Sequence, residues 1–174
     1  MDAGGGTSVF FFSNRGFDSY GVEIDGKKVN EINSKLKRKA CWKGNIEELN
    51  LEMKFDVIYL SHVFEHLCRP DIFLKKIKKN LRNDGILFIE VPNCANRAIL
   101  DGSVRGNPHI HHFTPKSLNL LFNSNGYDVL KLSTFSDKYT NKISMLLMML
   151  LHLNNYTELN HSVGKKLILI ATPS

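Results

Sequence analysis

Short apolar runs alternate along this chain with longer segments whose apolar residues recur at helical spacing. Phe55-Asp56-Val57-Ile58-Tyr59-Leu60 and Gly85 to Val91 read as strands, as do Tyr20 to Ile24, Tyr127 to Leu132 and Lys166 to Thr172; Ala40 to Lys43 is a weaker one. Between them, Val29, Ile32 and Leu36 mark one face of a helix, with lysines and asparagines opposite. Pro70 opens a second helix whose Phe73, Leu74, Ile77 and Leu81 face a core, with Asn83-Asp84-Gly85 as its stop. Thr114 caps a third, Pro115 fills its first turn, Leu118, Leu121 and Phe122 point inward, and Gly126 ends it. Val9 to Asn14 is expected to be helical and to end at Gly16; its Phe10-Phe11-Phe12 run is apolar all round, as in a helix wedged against a sheet. Strands alternating with helices argue for an α/β fold with crossover connections.

Two stretches stand apart from that alternation. Residues 94–113 form a long polar connection, unusual in a compact domain and therefore a place to look for function. Ile143 to Leu151 is the greasiest segment and reads as a helix, at about half the ~20 residues a bilayer crossing needs. A pocket wall, a dimer interface, a membrane-surface contact and ordinary core packing are all open to it.

Composition changes this picture little. The 174 residues suit one domain spanning 1–174, with a hydrophobic content of 43%. The net charge of +6 raises nucleic acid as a partner. The lysines, however, cluster at Lys35 to Lys43 and Lys75 to Arg82, on the outer faces of amphipathic segments, so no nucleic acid is expected. Cys41, Cys68 and Cys94 are odd in number and lack CxxC spacing, which fits neither a disulfide framework nor a zinc site. With no signal-peptide pattern at the start, the expected location is the cytoplasm.

In an open α/β sheet, ligands sit beyond the carboxyl ends of the strands. Several polar segments belong to that edge: the glycine-rich Asp2-Ala3-Gly4-Gly5-Gly6-Thr7-Ser8, Glu23, Gly44-Asn45, Ser61-His62 and Pro92-Asn93. Glycines there admit a close backbone approach, and an acid ending the next strand can accept from a ribose diol. A nicotinamide fingerprint would want glycine where Val9 stands.

Three stretches give these segments a family likeness. Asp2 to Ser8 is similar to a D-x-G-x-G loop, Phe55-Asp56-Val57-Ile58 through Val63-Phe64-Glu65-His66-Leu67 resembles a fourth-strand signature with its helix entry, and Leu81-Arg82-Asn83-Asp84-Gly85-Ile86-Leu87 looks like an L-x-P-G-G-x-L turn. Asn125-Gly126-Tyr127-Asp128-Val129 adds a similar final helix-to-strand turn. From Asp2 to Thr172 the chain resembles the class I S-adenosylmethionine-dependent methyltransferases. The resemblance implies a Rossmann-like, mostly parallel doubly wound sheet with an antiparallel last strand. It also implies a central first strand and helical lead-in ahead of the glycine loop, where only Met1 stands. The chain is thus expected to be N-terminally truncated relative to the family.

Carried over, the likeness implies that Gly4 and Gly6 pack against the methionyl and ribose portion of S-adenosylmethionine, and that Asp2 orients its amino-acid end. Glu23 would accept from both ribose hydroxyls, Asn45 and the backbone of Ile46 would meet the adenine, and Ser61 and His62 would line the region nearest the sulfonium. In-line methyl transfer depends above all on alignment, and an oxygen acceptor gains from a general base. His62 and His112 are the expected catalytic residues, with His66 read as orienting its turn. His109, His111 and His112 show no carboxylate at metal-ligand spacing, so no metal is expected. Absence of an Asn/Asp-Pro-Pro-Tyr element after the fourth strand favours a small-molecule or sugar acceptor, at oxygen or carbon. A non-catalytic, methyltransferase-like fragment or binding module is the competing class.

Overall fold

The computed structural model describes residues 4–106, 109–135 and 164–174. These divide into two compact units, 4–50 on one hand and 51–106, 109–135 and 164–174 on the other. Asp2 and the greasy segment from Ile143 to Leu153 lie outside the described residues.

In the first unit a single tight turn, Gly4–Gly6, leads into α1 (Thr7–Ser13). Strand β1 (Gly21–Glu23), helix α2 (Gly26–Leu36) and strand β2 (Cys41–Lys43) follow. β1 and β2 are parallel, with Gly21 opposite Cys41 and Glu23 opposite Lys43. The periodicity read for α2 is met: Val29 and Ile32 are buried in one cluster with Val9, Ala40 and Cys41, and Leu36 packs against it. Asp25 caps the helix by accepting the Lys27 N–H at 2.8 Å. Asn33, on the same helix, accepts the N–H groups of Ala40 (2.7 Å) and Cys41 (2.8 Å) through Oδ1 and donates to the Cys41 carbonyl at 3.0 Å. One amide side chain thus ties α2 to the start of β2.

Two readings of this unit need narrowing. α1 starts earlier than expected, and only Val9 of it is buried; Phe10, Phe11 and Phe12 remain half-exposed rather than wedged. Gly16, at φ 84°, lies in the turn beyond the helix. Ile24, expected to end a buried strand, is 65% exposed because the ladder stops at Glu23.

The second unit is built on a four-stranded sheet in the order β3 (Phe55–Ser61), β4 (Leu81–Pro92), β6 (Lys166–Pro173), β5 (Tyr127–Phe135). β3 and β4 are parallel, and β6 runs antiparallel to both its neighbours. This is the expected α/β class with an antiparallel last strand. Strands covered on both faces read as continuous apolar runs rather than alternating ones. Leu87, Phe88, Ile89 and Val91 of β4 and Leu167, Leu169 and Ala171 of β6 are accordingly fully buried. Among the described residues, β1 pairs with β2 alone and β3 with β4 alone.

Helices α3 (Pro70–Lys78), α4 (Arg97–Arg105) and α5 (Pro115–Asn123) complete the unit. α3 buries Phe73, Leu74 and Ile77 as expected, but Leu81 belongs to β4, where it pairs with Phe55. The register then shifts, and Val57 pairs with Ile86. A Cβ on Gly85 would stand 2.9 Å from the Arg82 backbone nitrogen, so the Asn83-Asp84-Gly85 segment is a tight bulge in the strand rather than a helix stop. The long polar connection contains α4, whose cap Asn96 accepts the N–H groups of Ala98 and Ile99. α5 carries a reciprocal box between Thr114 and Ser117 with Pro115 in its first turn.

Candidate active site

In the first unit the glycines divide their roles. A Cβ on Gly6, at φ 84°, would meet Ile32 Cγ1 at 2.7 Å and Phe10 Cε2 at 2.8 Å. Gly6 is therefore demanded by the packing of α1 and α2 as well as by its backbone angle. Gly5, at φ 75°, has nothing within 4 Å of where a Cβ would be. The open face of the turn is at Gly5, a residue sequence reasoning passed over in favour of Gly4 and Gly6.

Glu23 ends β1 and is 3% exposed. Its Oε1 accepts the Asp25 N–H at 3.0 Å, and its main-chain carbonyl accepts the Gly44 N–H at 3.0 Å. Its Oε2 is buried with no hydrogen-bond partner among the described residues. A carboxylate oxygen so placed wants a donor, since burying it bare is costly. Asn45 is exposed just past β2, where its Oδ1 accepts the Glu47 N–H at 3.0 Å and its carbonyl caps the turn through Leu49 at 2.9 Å. One lone pair of that amide oxygen remains for an amine. Ile46 follows, half-buried.

In the second unit the register sets Ser61 beside Glu90. Ser61 donates to Glu90 Oε2 at 3.1 Å, and Glu90 is wholly buried. The chain then turns through His62 at φ 54°, a left-handed conformation uncommon for a residue with a Cβ. The His62 N–H donates to the Glu90 carbonyl at 3.0 Å. Its ring stands between two buried carboxylates: Nδ1 is 3.3 Å from Glu65 Oε1, and Nε2 is 3.3 Å from Glu90 Oε1. Lys166 Nζ lies 3.8 Å from that same Glu90 oxygen.

An aromatic cluster holds these groups. Phe64, with no exposure, lies 5.4 Å from Phe113 and 5.7 Å from Phe122 between ring centroids. That contact seats the short helical turn Phe64–His66 against the end of the 94–113 connection. The N–H groups of Ile110 (3.1 Å) and His111 (3.0 Å) both donate to the Glu65 carbonyl and lock the two together. His66 is brought within 4.8 Å of His109, ring to ring. Ser103 of α4 bonds His109 Nδ1 at 2.5 Å. Burial holds His109 below the ordinary histidine range, with His66, His112 and His62 pushing the same way and Glu65 opposing.

A cavity of about 260 Å³ opens beside these groups. Pro92, Ala98 and Ile99 supply its apolar wall, and His62, Ser103 and His109 its polar one. Lys165 and Lys166 close it. Asn93 places that end, since it is fully buried, accepts the Ala95 N–H at 3.1 Å and donates to the Gly164 carbonyl at 2.8 Å. His112, expected to be catalytic, is exposed and is not among the cavity's lining residues; His109 takes that place. Glu65 and Glu90, which organise the site, were not singled out from sequence. A buried acid two residues short of a strand-breaking proline is the one signal that could have marked Glu90.

Comparison with known proteins settles the family. A methyltransferase-domain profile matches residues 1–132. The chain belongs to the methyltransferase-domain family. No curated protein matches it. Among solved structures, this methyltransferase chain is similar to a SAM-dependent methyltransferase from Archaeoglobus fulgidus, at 19% identity and a TM-score of 0.71 over 98% of this chain and 82% of that one. It is also similar to a putative S-adenosylmethionine-dependent methyltransferase from Listeria monocytogenes, at 13% identity and a TM-score of 0.68 over 99% and 88% of the two chains. A third is the Haloferax volcanii complex of the Trm112 methyltransferase activator with a putative methyltransferase, at 10% identity, a TM-score of 0.72, and 98% and 79% coverage. At these identities the likeness is one of fold. No described helix of the methyltransferase is long and apolar enough to cross a membrane.

Proposed function

We propose that this methyltransferase moves a methyl group from S-adenosylmethionine to a hydroxyl oxygen of a small molecule or sugar. The observation that carries the donor half is the buried, partnerless Oε2 of Glu23, on an acid whose other oxygen is already engaged. A ribose hydroxyl would supply the missing donor. The open backbone at Gly5 would take the methionyl and ribose portion, with Gly4 and Gly6 shaping the turn and Asp2 toward the amino-acid end. Asn45 and the Ile46 backbone are proposed for the adenine, and Ser61 for the neighbourhood of the sulfonium. When bound, the cofactor supplies an electrophilic methyl on a positively charged sulfur.

The chain's own work is orientation, exclusion of water and proton handling. The cavity's size supports a small acceptor over a nucleic acid, and its Pro92, Ala98 and Ile99 wall suits an apolar or sugar-ring body. His62 is the proposed general base. Glu65 orients its ring through Nδ1, and Nε2 stands 3.3 Å from Glu90 Oε1, so a proton taken from the acceptor at Nε2 would come to rest beside a buried carboxylate. His112, exposed on the 94–113 connection, is proposed only for a contact with the acceptor's outer end. Three scattered cysteines without CxxC spacing fit a cytoplasmic location.

The test is calorimetry of S-adenosylmethionine and S-adenosylhomocysteine on the full chain and on Glu23→Gln. Saturable binding, weakened at least tenfold in the variant, is expected. Equal affinity in both proteins would remove Glu23 from the donor site. No binding to a folded wild type would favour a non-catalytic module.

A further inference from the structure

We propose that Glu65, His66 and His109 form a binding site for a divalent first-row transition-metal ion such as zinc. Linear spacing hides this set, because Glu65-His66 and His109 lie in different segments. The fold joins them: each offers one ligand atom, and the three atoms lie within 4.8 Å of one another. Ligand atoms around a tetrahedral ion at about 2.1 Å stand roughly 3.4 Å apart. The cluster must therefore draw in, and the exposed His66 side chain has the freedom to do so.

A second observation points to a cation. Glu65 is 1% exposed, and its Oε2 is buried without a hydrogen-bond partner among the described residues. Only its Oε1 is engaged, by His62 Nδ1 at 3.3 Å. A bound ion would neutralise that carboxylate where water does not reach.

The surroundings have the form a metal site needs. A ligating histidine has its second ring nitrogen held by another group, which fixes the ring and leaves one nitrogen for the metal. Ser103 Oγ, 2.5 Å from His109 Nδ1, is such a group, and in the tautomer donating to it His109 Nε2 keeps its lone pair. The backbone is fixed as well, by the two N–H donors of Ile110 and His111 on the Glu65 carbonyl. Two imidazole nitrogens and one carboxylate oxygen suit zinc and its neighbours; magnesium and calcium prefer oxygen sets. Three protein ligands leave a coordination position open, and His109 also lines the cavity described above. The metal site stands whether or not the donor assignment does, because it uses none of the donor residues.

The experiment is titration of chelator-stripped, tag-free full chain with zinc by calorimetry and with Co(II) by visible absorption. Wild type should take up about one equivalent saturably, with Co(II) ligand-field bands of low coordination number. His66→Ala, at an exposed position, should weaken binding about tenfold or more with an unchanged circular dichroism spectrum, and His109→Ala should do the same. Cys68→Ser, which removes the exposed thiol, should bind as wild type does. Absence of saturable uptake, or uptake indifferent to His66→Ala, overturns the proposal.

Discussion

The Nε2 atom of His62 stands 3.3 Å from Oε1 of Glu90, a carboxylate with no solvent exposure. The sheet makes this contact, since β3 and β4 set Ser61 against Glu90 and His62 is the next residue. His62, as the proposed base, should matter to turnover and not to donor affinity. His62→Ala should lower the rate of S-adenosylhomocysteine formation, over a panel of small hydroxylated acceptors, by about 10²-fold or more. Calorimetric donor affinity should stay within about twofold. A rate unchanged by the substitution would remove His62 from the chemistry.

The glycine turn predicts a split between two neighbours. Gly6→Ala drives a Cβ to 2.7 Å from Ile32, itself 1% exposed, and should cost about 3 kcal/mol in denaturant unfolding. Gly5→Ala meets open space and should cost only about 1 kcal/mol, for its left-handed angle. Its loss should appear instead in donor affinity, where the new methyl occupies the turn's free face. Equal destabilisation by both would contradict the division of roles.

Asn33→Ala removes three hydrogen bonds that join α2 to β2. A cost of about 2 kcal/mol is expected, read as a lower urea midpoint. Asn33→Asp keeps the acceptor but loses the donor to the Cys41 carbonyl, so it should fall between the alanine variant and wild type.

Alkaline pH should reveal Tyr127. Its hydroxyl donates to the Leu74 carbonyl at 2.9 Å, and burial holds its pKa well above the ordinary tyrosine range. The unfolded phenol releases its proton near pH 10, whereas the folded one keeps it. The unfolded state therefore binds fewer protons above pH 10, and stability falls as pH rises through that point. Thermal or urea unfolding should be level from about pH 7 to 9 and decline beyond. Tyr127→Phe should show a shallower decline, together with a constant loss of about 1 kcal/mol for the unmet carbonyl.

Much of this architecture can be seen in the chain itself, for physical reasons that also explain the rest. Val29 and Ile32, or Phe73, Leu74 and Ile77, report their helices because one stripe has to meet a core. Leu87, Phe88, Ile89 and Val91 report β4 because that strand is covered on both faces, which leaves little room for alternation. Leu81 misled because it continues the helical period of α3, yet pairing with Phe55 claims it for the sheet. α4 hid in a polar connection because its packing is slight, with Ser103 its one buried residue. In the site, strand ends pointed to Glu23, Ser61 and His62. The meeting of Glu65 with Ile110 and His111 depends on the stacking of Phe64 on Phe113, a contact between distant segments that no local period encodes.

The positive φ of His62 bears on why a histidine is there at all. Glycine would satisfy that bend with less strain, but His62→Gly would also strip the buried Glu65 carboxylate of its ring partner, so the protein should become easier to melt rather than harder. An imidazole kept where the main chain would prefer hydrogen fastens that bend to the two acids buried beneath it.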